Sequence, residues 1–165
     1  MSDLIKQQKM TVKILWGAFF FTNCVFCGLV FMKVLDGATP QPDLLPYFAG
    51  AAILVLFLSL FLFSKATNKH YLSERLLKLD LSEPESQVPD ENKTKLFLAL
   101  SDSDKRHYKF NLDLQAKYIL SWVLCDTVNI IGIGSILEGV PSSNYYYFFI
   151  AAICSHIYMR PREVR

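Results

Sequence analysis

Asp126 is the single Asp, Glu, Lys, Arg or His within the three longest apolar runs of the chain, Ile14–Met32, Leu44–Ser64 and Tyr118–Leu137. At the centre of a bilayer a carboxylate costs ~2.5–3.5 kcal/mol even on lenient insertion scales, so it requires a partner, water or a proton. Asn129 follows three positions later on the same helical face, within reach of that carboxyl. Counted from Lys117, Asp126 lies nine residues deep, which is ~13 Å at 1.5 Å per residue. Counted from Lys13, Asn23 reaches a similar depth, with Thr22 beside it. His156 lies nearer the inner end of the last apolar stretch and is the second choice of partner. Two chemistries fit: a carboxyl that handles protons or cations, or a protonated Asp126 clamped by Asn23 and Asn129 to lock helix packing. The structural role is the favoured one.

The other reactive side chains yield less. Cys24-Val25-Phe26-Cys27 has the C-x-x-C spacing of redox and metal sites. No basic residue stands near enough to lower a thiol pKa, and the turns between spans contain no Cys. Cys24, Cys27, Cys125 and Cys154 are therefore expected to be small packing residues, with a membrane thiol oxidoreductase as a third reading. His70 and His107 fall outside the apolar runs, so no metal site and no cofactor are expected. Glycine-rich phosphate loops, G-x-S-x-G and H-E-x-x-H are absent from the sequence. Gly132, Gly134 and Ser135 read as a place of close helix approach.

The elements that must hold these residues are membrane helices. Hydrophobic residues make up 52% of the 165 and charged ones only 19%, against ~25% charged in an average soluble domain. The runs Ile14–Met32, Leu44–Ser64 and Tyr118–Leu137 hold 19, 21 and 20 residues, and a spanning helix needs ~20. Tyr145–Met159 holds 15 and is short. It opens on three tyrosines and closes on Tyr158 before Arg160, as an aromatic belt and a basic anchor would. Four spans are expected. Asp36–Asp43 and Glu138–Asn144 are rich in glycine and proline and read as tight turns.

Sixteen of the seventeen Lys and Arg lie before the first span, between Lys65 and Lys117, or after the fourth. The positive-inside rule then places both termini and residues 65–117 in the cytoplasm of a multi-pass inner (plasma) membrane protein, taken as bacterial. Leu72, Leu76 and Leu79 give His70–Leu81 a helical spacing, Pro84 and Pro89 mark an exposed linker from Ser82 to Asn92, and Leu96–Leu100 is a small apolar patch. Ser101 with Asp102 and Asp104 reads as the N-cap of the helix entering the third span.

Leu124–Gly134 resembles the ion-carrying helix of the rotary ATPase proteolipids, the c-subunits, in which Gly follows a mid-membrane acid by six positions, as Gly132 follows Asp126. Trp16, Asn23 and Gly28 also share the spacing of Trp122, Asn129 and Gly134, and Tyr47–Ile53 is similar to Phe148–Ile153. The resemblance implies a doubled hairpin with Asp126 as the working carboxyl. The Phe-rich first span, the outward turns and the long cytosolic segment depart from that family.

The fold expected is thus all-α: four transmembrane helices forming two hairpins, 1–64 and 118–165, joined by a cytosolic helical segment, 65–117. The function expected is non-enzymatic, a subunit or accessory component of a membrane assembly. The alternative is proton or cation translocation through Asp126, with Asn129 and Asn23. The expected partners are the lipid bilayer and other membrane subunits or copies of this chain. With a net charge of +2, nucleic acid is not among them.

Overall fold

A computed structural model describes residues 3–32, 41–68 and 91–161. The described residues are helical and contain no strand. Five α-helices follow one another: α1 Asp3–Phe31, α2 Leu45–Thr67, α3 Glu91–Leu98, α4 Asp102–Leu137 and α5 Tyr145–Tyr158. Three of them, α1, α2 and α4, are long and apolar enough to cross a membrane. With 14 residues, α5 measures ~21 Å at 1.5 Å per residue, short of the ~30 Å hydrocarbon core. Expected features at His70–Leu81, Ser82–Asp90, Lys33, Asp36–Pro40, Arg162 and Arg165 lie outside the described residues.

The centre of the bundle is α4, which packs against α2, α1 and α5. Its buried residues from Tyr118 onward are Ser121, Trp122, Cys125, Asp126, Val128, Asn129, Gly132, Ser135 and Ile136. That alternation of three and four is the stripe a helix needs when neighbours wrap around it. Phe21, Phe31, Ile53, Leu54 and Phe57 are more than two-thirds exposed, so the outside of the bundle is as apolar as its inside. Such a surface suits lipid rather than water. The largest contacts of α1 and of α2 are both with α4, so the first hairpin is not a separate packing unit.

Local signals explain the helix ends. Ser101 accepts a hydrogen bond from the Asp104 backbone N–H at 3.2 Å, the cap expected from the sequence. From there α4 runs unbroken for 36 residues, so the boundary drawn at residue 117 falls inside one helix. Its other end closes on Gly139, at φ 92°. The Val140 N–H bonds Ser135 O and the Gly139 N–H bonds Ile136 O, both at 2.9 Å, the paired bonds of a glycine-terminated helix. Each hairpin turn then passes through a 3₁₀ turn, Pro42–Leu44 or Ser142–Asn144, into its next helix. The two turns are joined, the Gln41 N–H bonding Gly139 O at 2.8 Å.

The described part of the middle segment folds against the start of α4. Phe97 is 1% exposed, its ring 5.5 Å from that of Tyr108 and beneath the ammonium groups of Lys105 and Lys109. Leu96 and Leu98 on either side stay exposed, so the expected apolar patch contributes one buried side chain from α3.

Candidate functional site

Four polar side chains from three helices meet in the centre of the bundle. Asp126 and Asn129 come from α4, Asn23 from α1 and His156 from α5. Asn23, Asn129 and His156 are fully buried and Asp126 is 8% exposed. The Asn23 amide donates to Asp126 Oδ1 at 2.5 Å and to the Phe19 carbonyl at 2.9 Å. The Asn129 amide donates in turn to Asn23 Oδ1. The order is thus Asn129 to Asn23 to Asp126.

The sequence places Asn129 beside the carboxyl because three residues on a helix share a face. In the structure Asn129 reaches across to α1 instead, and Asn23 is the residue that binds the acid. The three expected site residues are together, joined in a different sequence of bonds.

His156 is much closer to Asp126 than depth-counting from the basic residues suggests: its Nδ1 is 3.8 Å from Asp126 Oδ1. The reason is the short α5, whose C-cap Met159 lies level with Trp122, five residues along α4 from the Lys117 at which depth is counted. From Met159 back to His156 is about 4.5 Å of rise and from Trp122 on to Asp126 about 6 Å, which brings the two side chains to one level. Neither ring nitrogen of His156 has a hydrogen-bond partner. Four aromatic rings surround the imidazole, those of Trp16, Phe19, Phe20 and Trp122, with centroids 6.3–6.5 Å away.

The remaining polar groups tie helix to helix. Trp16 Nε1 donates to His156 O at 3.1 Å and Trp122 Nε1 to Met159 O at 3.2 Å. These are carbonyls at the C-terminal end of α5, His156 in its last turn and Met159 at its cap, of a kind that is costly to leave bare away from water. The hydroxyl of Ser59 on α2 donates to Ser121 O at 2.8 Å. The Cys125 thiol donates to Ala152 O at 3.2 Å. Trp122 also stacks on Tyr118, 5.6 Å away and within 7° of parallel.

The repeated spacing in the sequence has a geometric counterpart here. Trp16 and Trp122 cap the same helix end, and Asn23 and Asn129 bond each other. The third matched pair differs: an alanine Cβ at Gly134 would approach Phe48, whereas one at Gly28 would meet nothing within 4 Å. Parallel helices α1 and α4 thus present the matched tryptophans and the matched asparagines at equivalent levels.

All four cysteines are free thiols, Cys24 exposed, Cys27 half-buried, Cys125 buried and Cys154 exposed. Among the described residues no three His, Cys, Asp or Glu side chains converge as metal ligands would. Comparison of the chain with protein-family models, curated proteins and solved structures returned no match.

Proposed function

We propose that this chain is a small, non-enzymatic, four-span protein of the inner (plasma) membrane that serves as a subunit or accessory component of a larger membrane assembly. The observation that carries the reading is how the central polar groups are used. Asn23, Asn129, Ser59, Cys125, Trp16 and Trp122 all bond to a neighbouring helix. That use fixes a rigid bundle with an apolar exterior, which is what a component held among other membrane helices requires. The partners would be other membrane subunits or further copies of this chain. If so, the chain tagged at native abundance and extracted in mild detergent migrates on native gels well above its own 18.9 kDa plus micelle, and harsher detergent reduces it to the monomer. A monomer already in mild detergent would overturn the reading.

The fourth span in this proposal is α5. Its 14 residues continue the three-residue turn Ser142–Asn144. At ~2 Å per 3₁₀ residue and 1.5 Å per α residue the two cover about 27 Å, and local thinning can absorb the difference from ~30 Å. The indole caps support it, because they satisfy carbonyls that end below the membrane surface. With both termini and residues 65–117 cytoplasmic, reporters fused at Arg165 and near Asn92 should read as cytoplasmic. Those within Thr39–Pro42 or at Ser143 should read as external. An external reporter at Arg165 would remove α5 from the count of spans.

One observation favours a second reading, proton or cation translocation through Asp126. Its side chain is 11% exposed while the neighbouring His156 is wholly enclosed, so the acid has a route to the surface of the bundle. The proteolipid resemblance of Leu124–Gly134 belongs with this reading.

A further inference from the structure

His156 is the residue of the polar centre whose side chain ties no helices together, and its two ring nitrogens are among the buried side-chain atoms without a hydrogen-bond partner, as are Asn129 Oδ1, the Tyr145 hydroxyl and Gln8 Oε1. Native proteins pair nearly all such groups. The surroundings, read as a binding site, suit one ligand. Imidazole can take up a proton; a carboxyl, a helix C-terminus and four aromatic rings favour the cation that results, against the cost of its burial and of two basic side chains.

Asp126 Oδ1 lies 3.8 Å from Nδ1, near enough for a carboxylate to balance the charge. His156 stands in the last turn of α5, at the negative end of the helix dipole, where cations are stabilised. Trp16, Phe19, Phe20 and Trp122 enclose the ring at 6.3–6.5 Å, at the outer edge of the ~6 Å reach of cation–π attraction. Arg160 opposes the cation, its guanidinium lying 5.9 Å from the Trp16 ring.

Of the other groups facing the site Lys13 is a cation and also opposes the imidazolium, and the rest, Asp126 and Arg160 aside, are neutral. From α1 come Asn23 and, one turn before Trp16, Lys13; from α2 comes Ser59. From α4 come Asp126, Asn129 and Cys125, whose thiol is bonded to Ala152 O. From α5 come Ser155 and Cys154, and from the residues just after it Arg160.

We propose that His156 is a proton-binding site inside the bundle, with Asp126 as its counter-ion and its entry point. Nothing is oxidised or reduced in the step. A proton from the aqueous phase reaches the partly exposed Asp126 carboxyl and passes to the imidazole lone pair, where one N–H bond forms. The carboxyl gives up the O–H bond it had briefly gained. The product is an imidazolium–carboxylate pair enclosed by four aromatic rings. This site is independent of whether the protein assembles with others or translocates ions, and it makes the bundle sensitive to pH at the point where α1, α4 and α5 meet.

The chain contains its own reporter. Its two tryptophans, Trp16 and Trp122, both stand against His156, and imidazolium quenches indole emission where neutral imidazole does so weakly. The full chain in detergent micelles is titrated from about pH 8 to about pH 5, the range in which histidine commonly changes charge. Tryptophan emission should fall along a reversible sigmoid. His156→Gln should abolish the fall, and Asp126→Asn should lose it over the same range. Emission that stays flat in the parent chain, or that falls equally in His156→Gln, overturns the proposal. If His156→Gln does not fold, a chain carrying His70→Gln and His107→Gln leaves His156 as its one histidine. Ring ¹⁵N shifts that move to imidazolium values over the same range support the site, and shifts fixed at neutral values overturn it.

Discussion

Asp126→Asn is expected to leave yield, melting temperature and in vivo complementation close to those of the parent chain, while Asp126→Leu lowers all three. Asp126 Oδ1 accepts the hydrogen bond from Asn23, and an Asn side-chain carbonyl at the same place accepts it equally well. Leucine accepts nothing. The Asn23 amide keeps its bond to Phe19 O but leaves one N–H bare in a fully buried site. An unsatisfied buried donor costs roughly 1–3 kcal/mol. Leucine does not recover that by being apolar, because in the unfolded but inserted state Asp126 also finds partners, which shrinks the advantage of removing it. The same pair of variants separates the two functional readings. An ionisable carboxyl is indispensable to a translocator, so a folded Asp126→Asn chain that fails to complement would move ion translocation ahead of assembly. Retained complementation by Asp126→Asn supports the structural role.

Much of this architecture is legible in the sequence because lipid imposes it. Long apolar runs with at most one Asp, Glu, Lys, Arg or His disclose α1, α2 and the apolar part of α4, the helices long and apolar enough to cross a membrane. Ser101 and Gly139 disclose the two ends of α4 because capping is a local interaction between near neighbours. The matched positions of Trp16 with Trp122 and of Asn23 with Asn129 already place the two tryptophans and the two amides at common levels. The bonds that follow are another matter. Whether Asn129 reaches Asp126 on its own helix or Asn23 on the next depends on how closely α1 approaches α4, and spacing along one helix does not contain that distance. His156 is misplaced by depth-counting for a similar reason. Counting assumes that the helices end at one plane, whereas α5 stops level with Trp122 and has its last carbonyls capped by indoles. Two tryptophans at matched places near the starts of the apolar runs Ile14–Met32 and Tyr118–Leu137 were the signal for such a cap, and with it for an imidazole at the level of Asp126.

Gly132→Ala should be among the most damaging single substitutions in the bundle, and Gly134→Ala, two residues on, should be nearly silent. An alanine Cβ at Gly132 would lie 2.9 Å from Phe148 Cβ and 3.0 Å from both Phe148 Cγ and Tyr145 Cδ2. The Cβ of Phe148 moves only with its backbone, so rotating a side chain cannot clear the clash and α5 must be pushed from α4. Overpacking of this kind costs typically ~1–3 kcal/mol. Here it would also strain the bonds between the same helices, from Trp122 to Met159 O and from Cys125 to Ala152 O. At Gly134 the nearest atom is Phe48 Cε1 at 3.9 Å, an ordinary contact, and alanine gains ~1 kcal/mol in helix propensity over glycine. Both variants should insert normally, since neither changes the charge of the span. The comparison is of melting temperatures in one detergent, with Gly132→Ala well below the parent and Gly134→Ala at or above it. Equal melting temperatures for the two would show that α5 does not press on α4 at Gly132, and the tight seat that holds His156 beside Asp126 would go with it.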